Sequence, residues 1–315
     1  MRIDHRRFTT LLLSLIALPA FTACSPGGQQ SAGITITGTI ANTSLDEASG
    51  MQAAENVSDV YFLHNDDGKA ELFAVGPDGA DLGRISVAGA ENRDWEDISS
   101  VPSDKGPLLV IADTGDNFAQ YDSVRLYFVP EPEPGADGRY SGSQTVQHVI
   151  DLEYPDGPRD CESVAWDPHS DRIYLLSKRD QPAQIYSIAR EDALRMDHAK
   201  LPLQGVAYPF RAPTQRDLVE FGQRDGPWVS QPTGLDFSSD GRKAVVISYR
   251  SLYLFSREEG EAWPAAFGRK PLEFEGPGSR KEEAVTFARG DETIMVTTEG
   301  IPAPVYQFRL LEEAP

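Results

Sequence analysis

The chain has 315 residues, a formal net charge of −20, 40% hydrophobic residues and two cysteines. It is long enough to bury a sizeable core, and its acidity excludes a surface suited to nucleic acid or anionic lipid headgroups. Two cysteines exclude a disulfide-built scaffold.

The first segment, "MRIDHRRFTTLLLSLIALPAFTAC", sets Arg2, Arg6 and Arg7 before a short apolar run from Leu11 to Leu18. Such a run is too short for a comfortable membrane span and reads as a secretory signal over residues 1–23. Phe21-Thr22-Ala23-Cys24 resembles a bacterial lipobox, in which cleavage precedes a cysteine that becomes lipidated; Phe21 stands where Leu is usual. Residues 24–33 then form a small polar tether behind the lipidated Cys24. The expectation is an exported chain held at the bacterial cell envelope by its lipid anchor alone, monomeric and with no nucleic-acid partner. With Cys24 lipidated, Cys161 stands alone and is expected to be a buried apolar residue.

Residues 34–315 read as one all-β domain: short β-branched and aromatic runs separated by Gly, Pro, Asp and Asn clusters, with almost no helical periodicity. One segment type recurs: "LDEASGM" at 45–51, "DWEDISS" at 94–100, "DCESVAW" at 160–166, "QPTGLDF" at 231–237 and "KEEAVTF" at 281–287. Each is followed by an apolar run with a polar end, "VYFLHNDDG", "LLVIADTGDN", "RIYLLSKRD", "AVVISYR" and "TIMVTTEG". A third run with a central aromatic follows, as in "VRLYFV" and "SLYLF", and a fourth precedes the next repeat. Four strands per unit and five units, at a period of roughly 50–70 residues, predict a five-bladed β-propeller of four-stranded antiparallel blades, with six blades as the alternative. "ITITGTI" at 34–40 is a spare fourth strand that completes the last blade. "PEPEPGADG" at 130–138 becomes a loop inside the second blade, and "REDALRMDHAK" at 190–200 a surface loop or short helical turn.

In antiparallel blades the start of strand one and the end of strand two share a rim. Asp46, Glu47, Asp94, Glu96, Asp97, Asp160, Glu162, Glu282 and Glu283 come from strand-one starts. Asn65, Asp66, Asp113, Asp116, Asn117, Lys178, Arg179, Tyr249, Arg250 and Glu299 come from strand-two ends. All are expected to surround one channel mouth, and Glu47, Asn65, Asp66, Asp94, Asp97, Asp113, Asp116, Asn117, Lys178, Arg179, Tyr249, Arg250 and Glu299 are the candidate ligand-binding residues. Aligning on the small-residue step makes Glu47, Glu96, Glu162, Thr233 and Glu283 equivalent. Four carboxylates facing one axis need a cation, raised pKa values, basic partners or water. Glu47, Glu96, Glu162 and Glu283 are therefore the candidate metal ligands, and hard oxygen donors favour Ca²⁺ or Mg²⁺ over zinc. Single Asp and Asn residues here have a sufficient explanation as turn formers, whereas Glu has no such preference. No paired-His zinc spacing, G-x-S-x-G elbow or phosphate-cradling loop occurs. The tryptophans read as packing anchors, Trp95 beside Glu96 being the best exception.

"EASGM", "DCESVAW" and "KEEAVTF", with their polar strand-two ends, resemble the SdiA-regulated family of bacterial envelope propellers, and the broader group of phytase-like, esterase-like and gluconolactonase-like propellers. "QPTGLDF" departs from that pattern at the acid. The resemblance implies a propeller, an envelope location and often a metal such as calcium near the channel; it implies no settled reaction. Two functions follow. One is a binding propeller for a small-molecule or envelope ligand, with a calcium-like ion at its mouth. The other is a metal-assisted hydrolase of a phosphoester, lactone or glycoside, in which Glu96, Glu162 or Glu283 serves as base or as ligand.

Overall fold

Every recurring segment "DWEDISS" and its counterparts becomes the innermost strand of a sheet. The structure, a computed structural model, describes residues 33–276 and 281–310. The signal segment, Cys24 and the tether up to residue 32 lie outside the described residues, which all fall in one compact unit.

Five sheets follow one another along the chain. Blade one runs outward through Ala48–Ala53, Tyr61–Asn65, Glu71–Val75 and Asp81–Ala88. Blade two uses Trp95–Val101, Leu108–Asp113, Val124–Pro130 and His148–Glu153. Blade three uses Cys161–Asp167, Arg172–Ser177, Gln184–Ala189 and Leu203–Val206. Blade four uses Pro232–Phe237, Lys243–Ser248, Ser251–Ser256 and Leu272–Glu275. Blade five uses Glu282–Phe287, Thr293–Thr298 and Pro304–Arg309, and takes its outer strand, Gly33–Thr39, from the start of the described chain. Gly33 pairs with Arg309 and Ile36 with Tyr306 in that closure.

The inner strands touch in cyclic order, blade five's strand packing on blade one's, so the sheets form a ring. The molecule is a five-bladed β-propeller. Its apolar core is divided into five wedges, one between each pair of neighbouring blades. The inner and second strands are buried on both faces, while the outer strands alternate: Gly83, Ile85 and Val87 are buried and Arg84, Ser86 and Ala88 are exposed. Cys161 is buried in the wedge between blades two and three, and burial pushes its thiol up to about 12, which suits an inert packing residue. Trp95 and Trp263 are fully buried, whereas Trp166 and Trp228 are half-buried.

Two additions decorate this frame. Between strands three and four of blade two, the chain detours so that Ser143–Thr145 pairs in parallel with the outer strand of blade one. Blade three repeats the device: Arg190–Arg195 forms a short helix, and His198–Lys200 then pairs in parallel with the outer strand of blade two. Both detours add a fifth strand to the preceding blade. The second addition is a helical insertion between blades three and four, with helices Gln215–Glu220 and Gly222–Asp225 and a 3-10 turn Gly226–Ser230. Thr214 starts it with a reciprocal cap: its side chain accepts from Asp217 N–H, and the Asp217 carboxylate accepts from Thr214 N–H at 2.7 Å. Among the described residues no helix is long and apolar enough to cross a membrane.

Candidate functional site at the acidic mouth

All five inner strands carry a β-bulge near their start. The pairing register slips between Ser49 and Met51, Trp95 and Asp97, Cys161 and Ser163, Pro232 and Gly234, and Glu282 and Ala284. The extra residue at each slip is Gly50, Glu96, Glu162, Thr233 or Glu283. A bulge leaves its residue outside the ladder and re-aims the side chain, so these five positions are equivalent in the ring. The register corrects one expected equivalence: blade one contributes Gly50, not Glu47, which lies three residues earlier and is exposed. Gly50 has φ +74°, and an added Cβ would stand 2.9 Å from His64 Nε2 and 2.8 Å from Asp97 Cα. The imidazole of His64, edge-on to Trp95 at 5.4 Å, is packed beside the position that holds a glutamate in three other blades.

Lys178, from the end of blade three's second strand, is the resident cation among these acids. Its ammonium donates to Glu162, and Glu162, Glu96, Glu283 and Asp160 all raise its pKa against the cost of burial. One ammonium does not balance them. Burial, and then the Glu162 charge, push Glu96 well above the usual carboxylate range. Burial, then Glu299 and Glu162, do the same to Glu283. Glu162 is raised to about 7, burial outweighing the pull of Lys178, and Asp94 rises to about 6 through burial and the nearby Asp160 and Asp113. Tyr249, from blade four, sits against the cluster with Lys178 5.5 Å and Lys281 5.3 Å from its ring centre. Lys281 pairs with Glu299 at 3.2 Å. The loop after blade two's second strand is pressed onto the cluster, because a Cβ on Gly115 would overlap the carboxylates of Asp94 and Glu96.

Thus the fold gathers Asp94, Glu96, Glu162, Lys178, Tyr249, Glu283 and Glu299 around one mouth, together with Asp160 and Lys281. Arg179 and Asn117 bond each other at its rim, where Arg179 also pairs with Asp160 at 2.8 Å and lies 5.1 Å above the Trp228 ring of the helical insertion. Other candidates are occupied elsewhere. Asp97 ties the inner strands together, accepting from Ile98, Val164 and Leu235 N–H at 2.9, 2.8 and 3.1 Å. Asp113 accepts from Asp94 N–H at 2.9 Å. Asp116 closes its own loop by accepting from Gln120 and Tyr121 N–H, both at 2.9 Å. Arg250 is fully buried under the insertion, paired with Glu220, Asp217 and Glu275. Asn65 bonds back to Ser44 O at 2.9 Å, and Asp66, pushed up to about 7 by burial and by Glu47 and Glu299, joins Glu47 and Asp67 in a separate, outer acidic group.

Among the described residues, two sets of carboxylates could hold a metal ion: the buried Glu96, Asp160 and Glu162, whose ligand oxygens lie within 4.8 Å of one another, and the more exposed Glu47, Asp66 and Asp67. The all-oxygen donor set of the buried group fits a hard cation. Sequence reasoning placed Asp160 at the mouth without giving it a ligand role, and did not see the part played by Lys281, Gly50 and Gly115. Its one available signal was His64, the sole imidazole at a second-strand end where the other blades carry Asp113, Ser177, Ser248 and Thr298.

No family model and no curated protein matches this sequence. Among solved structures, the chain is similar to a luciferin-regenerating enzyme at 10% identity and a TM-score of 0.47, covering 90% of this chain and 96% of that one. It is similar to hydrazine synthase of Kuenenia stuttgartiensis at 14% identity and a TM-score of 0.39, covering 84% of this chain and 59% of that one. It is also similar to the β-propeller domain of Cps50 (Swd1) from Myceliophteria thermophila at 12% identity and a TM-score of 0.40, covering 90% and 72%. Likenesses this distant carry no statement about activity, and the fold rests on the sheet pairing above.

Proposed function

We propose that the protein is a lipid-anchored envelope propeller that binds a ligand together with a calcium-like divalent cation at its acidic mouth. The observation that carries this reading is the buried trio Glu96, Asp160 and Glu162. Three carboxylates on two adjacent blades face one another with Lys178 on Glu162 and Arg179 on Asp160, while Glu96 has no cation bonded to it among the described residues. Glu96 and Glu162, whose pKa values burial raises, give up protons when a positive charge binds between them. Glu96 retains the most acceptor capacity, since its carboxylate makes one long bond, from Ser49 Oγ at 3.4 Å. A bound cation would supply positive charge for an anionic or carbonyl-bearing ligand; Lys178, Arg179 and Tyr249 would orient it from the rim. The lipobox-like Cys24 and the motif resemblance to envelope propellers support the location.

The test is a calorimetric Ca²⁺ titration of the mature chain at pH 7.5, in two buffers of different ionisation heat. Expected are saturable binding, proton release on binding, and loss of both in Glu162→Gln. Heats indistinguishable from dilution overturn the metal part. Labelling with a radioactive fatty acid that persists in Cys24→Ala overturns the anchor.

A second reading, metal-assisted hydrolysis, is favoured by one observation: Glu162 is poised near neutrality beside Lys178, the condition for a general base. Turnover of a phosphoester, lactone or glycoside panel with Ca²⁺, abolished by Glu162→Gln, would establish it. Silence across that panel leaves binding as the function.

A further inference from the structure

The channel has a second end. A cavity of about 420 Å³ opens where all five inner strands finish, away from the acidic mouth. Along blade two's inner strand the order is Glu96 at the acidic mouth, Asp97 in the middle, and Ser99 and Ser100 on the cavity wall. Asp97 separates the two ends. Its carboxylate joins blade two to Leu235 of blade four, which is not blade two's neighbour in the ring, so it lies across the axis. Asp236 adds a second tie, from blade four to Thr286 and Phe287 of blade five at 2.9 and 2.8 Å.

We propose that this far mouth is a binding site for a small, neutral, hydroxyl-rich molecule of the sugar or polyol class. Its volume falls within the range of small-ligand sites. Its deepest acid, Asp236, already has both oxygens matched by protein donors, so the floor does not call for a cation. The lining also carries Glu55, Arg289 and Asp291; Arg289 donates to Ser58 Oγ and Glu55 O at 3.0 and 2.7 Å, Asp291 accepts from Ser239 N–H at 3.0 Å, and the other polar groups that stay open are neutral. The Ser100 hydroxyl has no protein partner among the described residues. Gln52 spends its amide N–H on Ala53 O at 3.1 Å and leaves its carbonyl. Ser99 accepts from Trp166 N–H at 3.0 Å and keeps its own proton to donate. Beside these stand apolar surfaces of Phe237 and the half-buried Trp166, whose indole N–H is fixed on Asp171 at 3.0 Å. Hydroxyl donors and acceptors around an aromatic wall match a molecule with a polar edge and a C–H face.

The experiment is saturation-transfer NMR on the mature chain with a panel of neutral hexoses, pentoses and cyclic polyols, in excess EDTA so that a cation at the other mouth plays no part. Expected is saturable transfer from at least one member, with a Kd of about 1 mM, weakened at least fivefold in Ser100→Val and in Gln52→Leu. Circular dichroism and melting of both variants show whether they fold. A folded Ser100→Val with undiminished transfer overturns the proposal, as does a panel without saturable transfer. Failure here leaves Ca²⁺ binding at the acidic mouth untouched, because EDTA removes that ion from the measurement.

Discussion

Glu96 and Asp97 are neighbours on one strand, both buried and both pushed above the usual carboxylate range, yet they belong to different regions of the channel. In the middle, Asp97 and Asp236 are met by backbone N–H groups of the facing blades. At the mouth, Glu96, Glu162 and Glu283 are met mainly by Lys178 and by each other. A carboxylate that accepts several amides has its geometry fixed by the fold and acts as a seam. One that shares a single ammonium with two rivals is held in a state that a new ligand or a change in pH can alter. The difference separates structure from function within a few ångströms of strand, and the β-bulge does the sorting.

The largest effect should come from breaking the seam. Asp97→Ala leaves amides from three blades unpaired in the channel, which costs roughly 4 kcal/mol; the shift in urea midpoint measures it. A midpoint within about 0.5 kcal/mol of the wild type would remove Asp97 from the frame. At the mouth, Lys178→Met is expected to cost somewhat less, about 3 kcal/mol at pH 8, because it strands buried acids without their cation. The cost should shrink at pH 5, where those acids hold protons. A pH-independent loss would show that the lysine's stem, and not its charge, is what packs there.

Next in size is the pH dependence of the wild type. Glu162 is raised to about 7, Asp94 to about 6, Asp66 to about 7 and Glu282 to about 8, each led by burial. A raised carboxyl keeps its proton in the folded state while the unfolded chain releases it near pH 4. The folded state then binds more protons, so stability falls as pH rises from about 4 to about 8. His64, lowered to about 4 by burial, works the other way, taking up a proton on unfolding below about 6.5. Four raised carboxyls outweigh one imidazole, so the melting temperature should be highest near pH 4 to 5 and decline toward pH 8, and Glu162→Gln should flatten the decline between pH 6 and 8. A profile that rises toward pH 8 contradicts the picture of uncompensated acids. A smaller effect follows from Gly115→Ala, whose Cβ overlaps Asp94 and Glu96: about 1–2 kcal/mol from overpacking, read in the same melts.

What was legible in the sequence tracks what burial imposes. The inner strands are buried on both faces near an axis, so a polar start, a small residue and an apolar run recur at each blade, with an acid in all but the fourth, and the count of five follows, as does the closing strand at 34–40. The parallel fifth strands were not legible, because Ser143–Thr145 and His198–Lys200 are three residues each and largely exposed. They exist through pairing with an outer strand rather than through any pattern of their own. The helical insertion at 215–230 was missed for a related reason: its helices are too short to show a period and are held by a cap and by ion pairs to Arg250. At the site, glutamates on blades two, three and five were readable, but the bulge that aligns them was not. "DEASG" imitates "DWEDIS" in composition while its extra residue is Gly50.

That misalignment supplies the smallest and most discriminating prediction. If bulge position decides which acids serve the mouth, Glu47→Gln should leave stability within about 0.5 kcal/mol and change Ca²⁺ affinity less than about twofold, since a surface acid outside the buried trio contributes little through a solvent-screened charge. Glu162→Gln, chemically the same exchange, removes a buried carboxylate from the trio and should abolish binding. Glu47 lies before the bulge and is exposed, whereas Glu162 is the bulged residue itself and is buried against Lys178. Equal losses in both, measured by the same titration, would mean that blade one's outer acids, Glu47, Asp66 and Asp67, share the cation with the ring, and that the acidic mouth extends across the whole rim instead of being confined to the blades that bulge on glutamate.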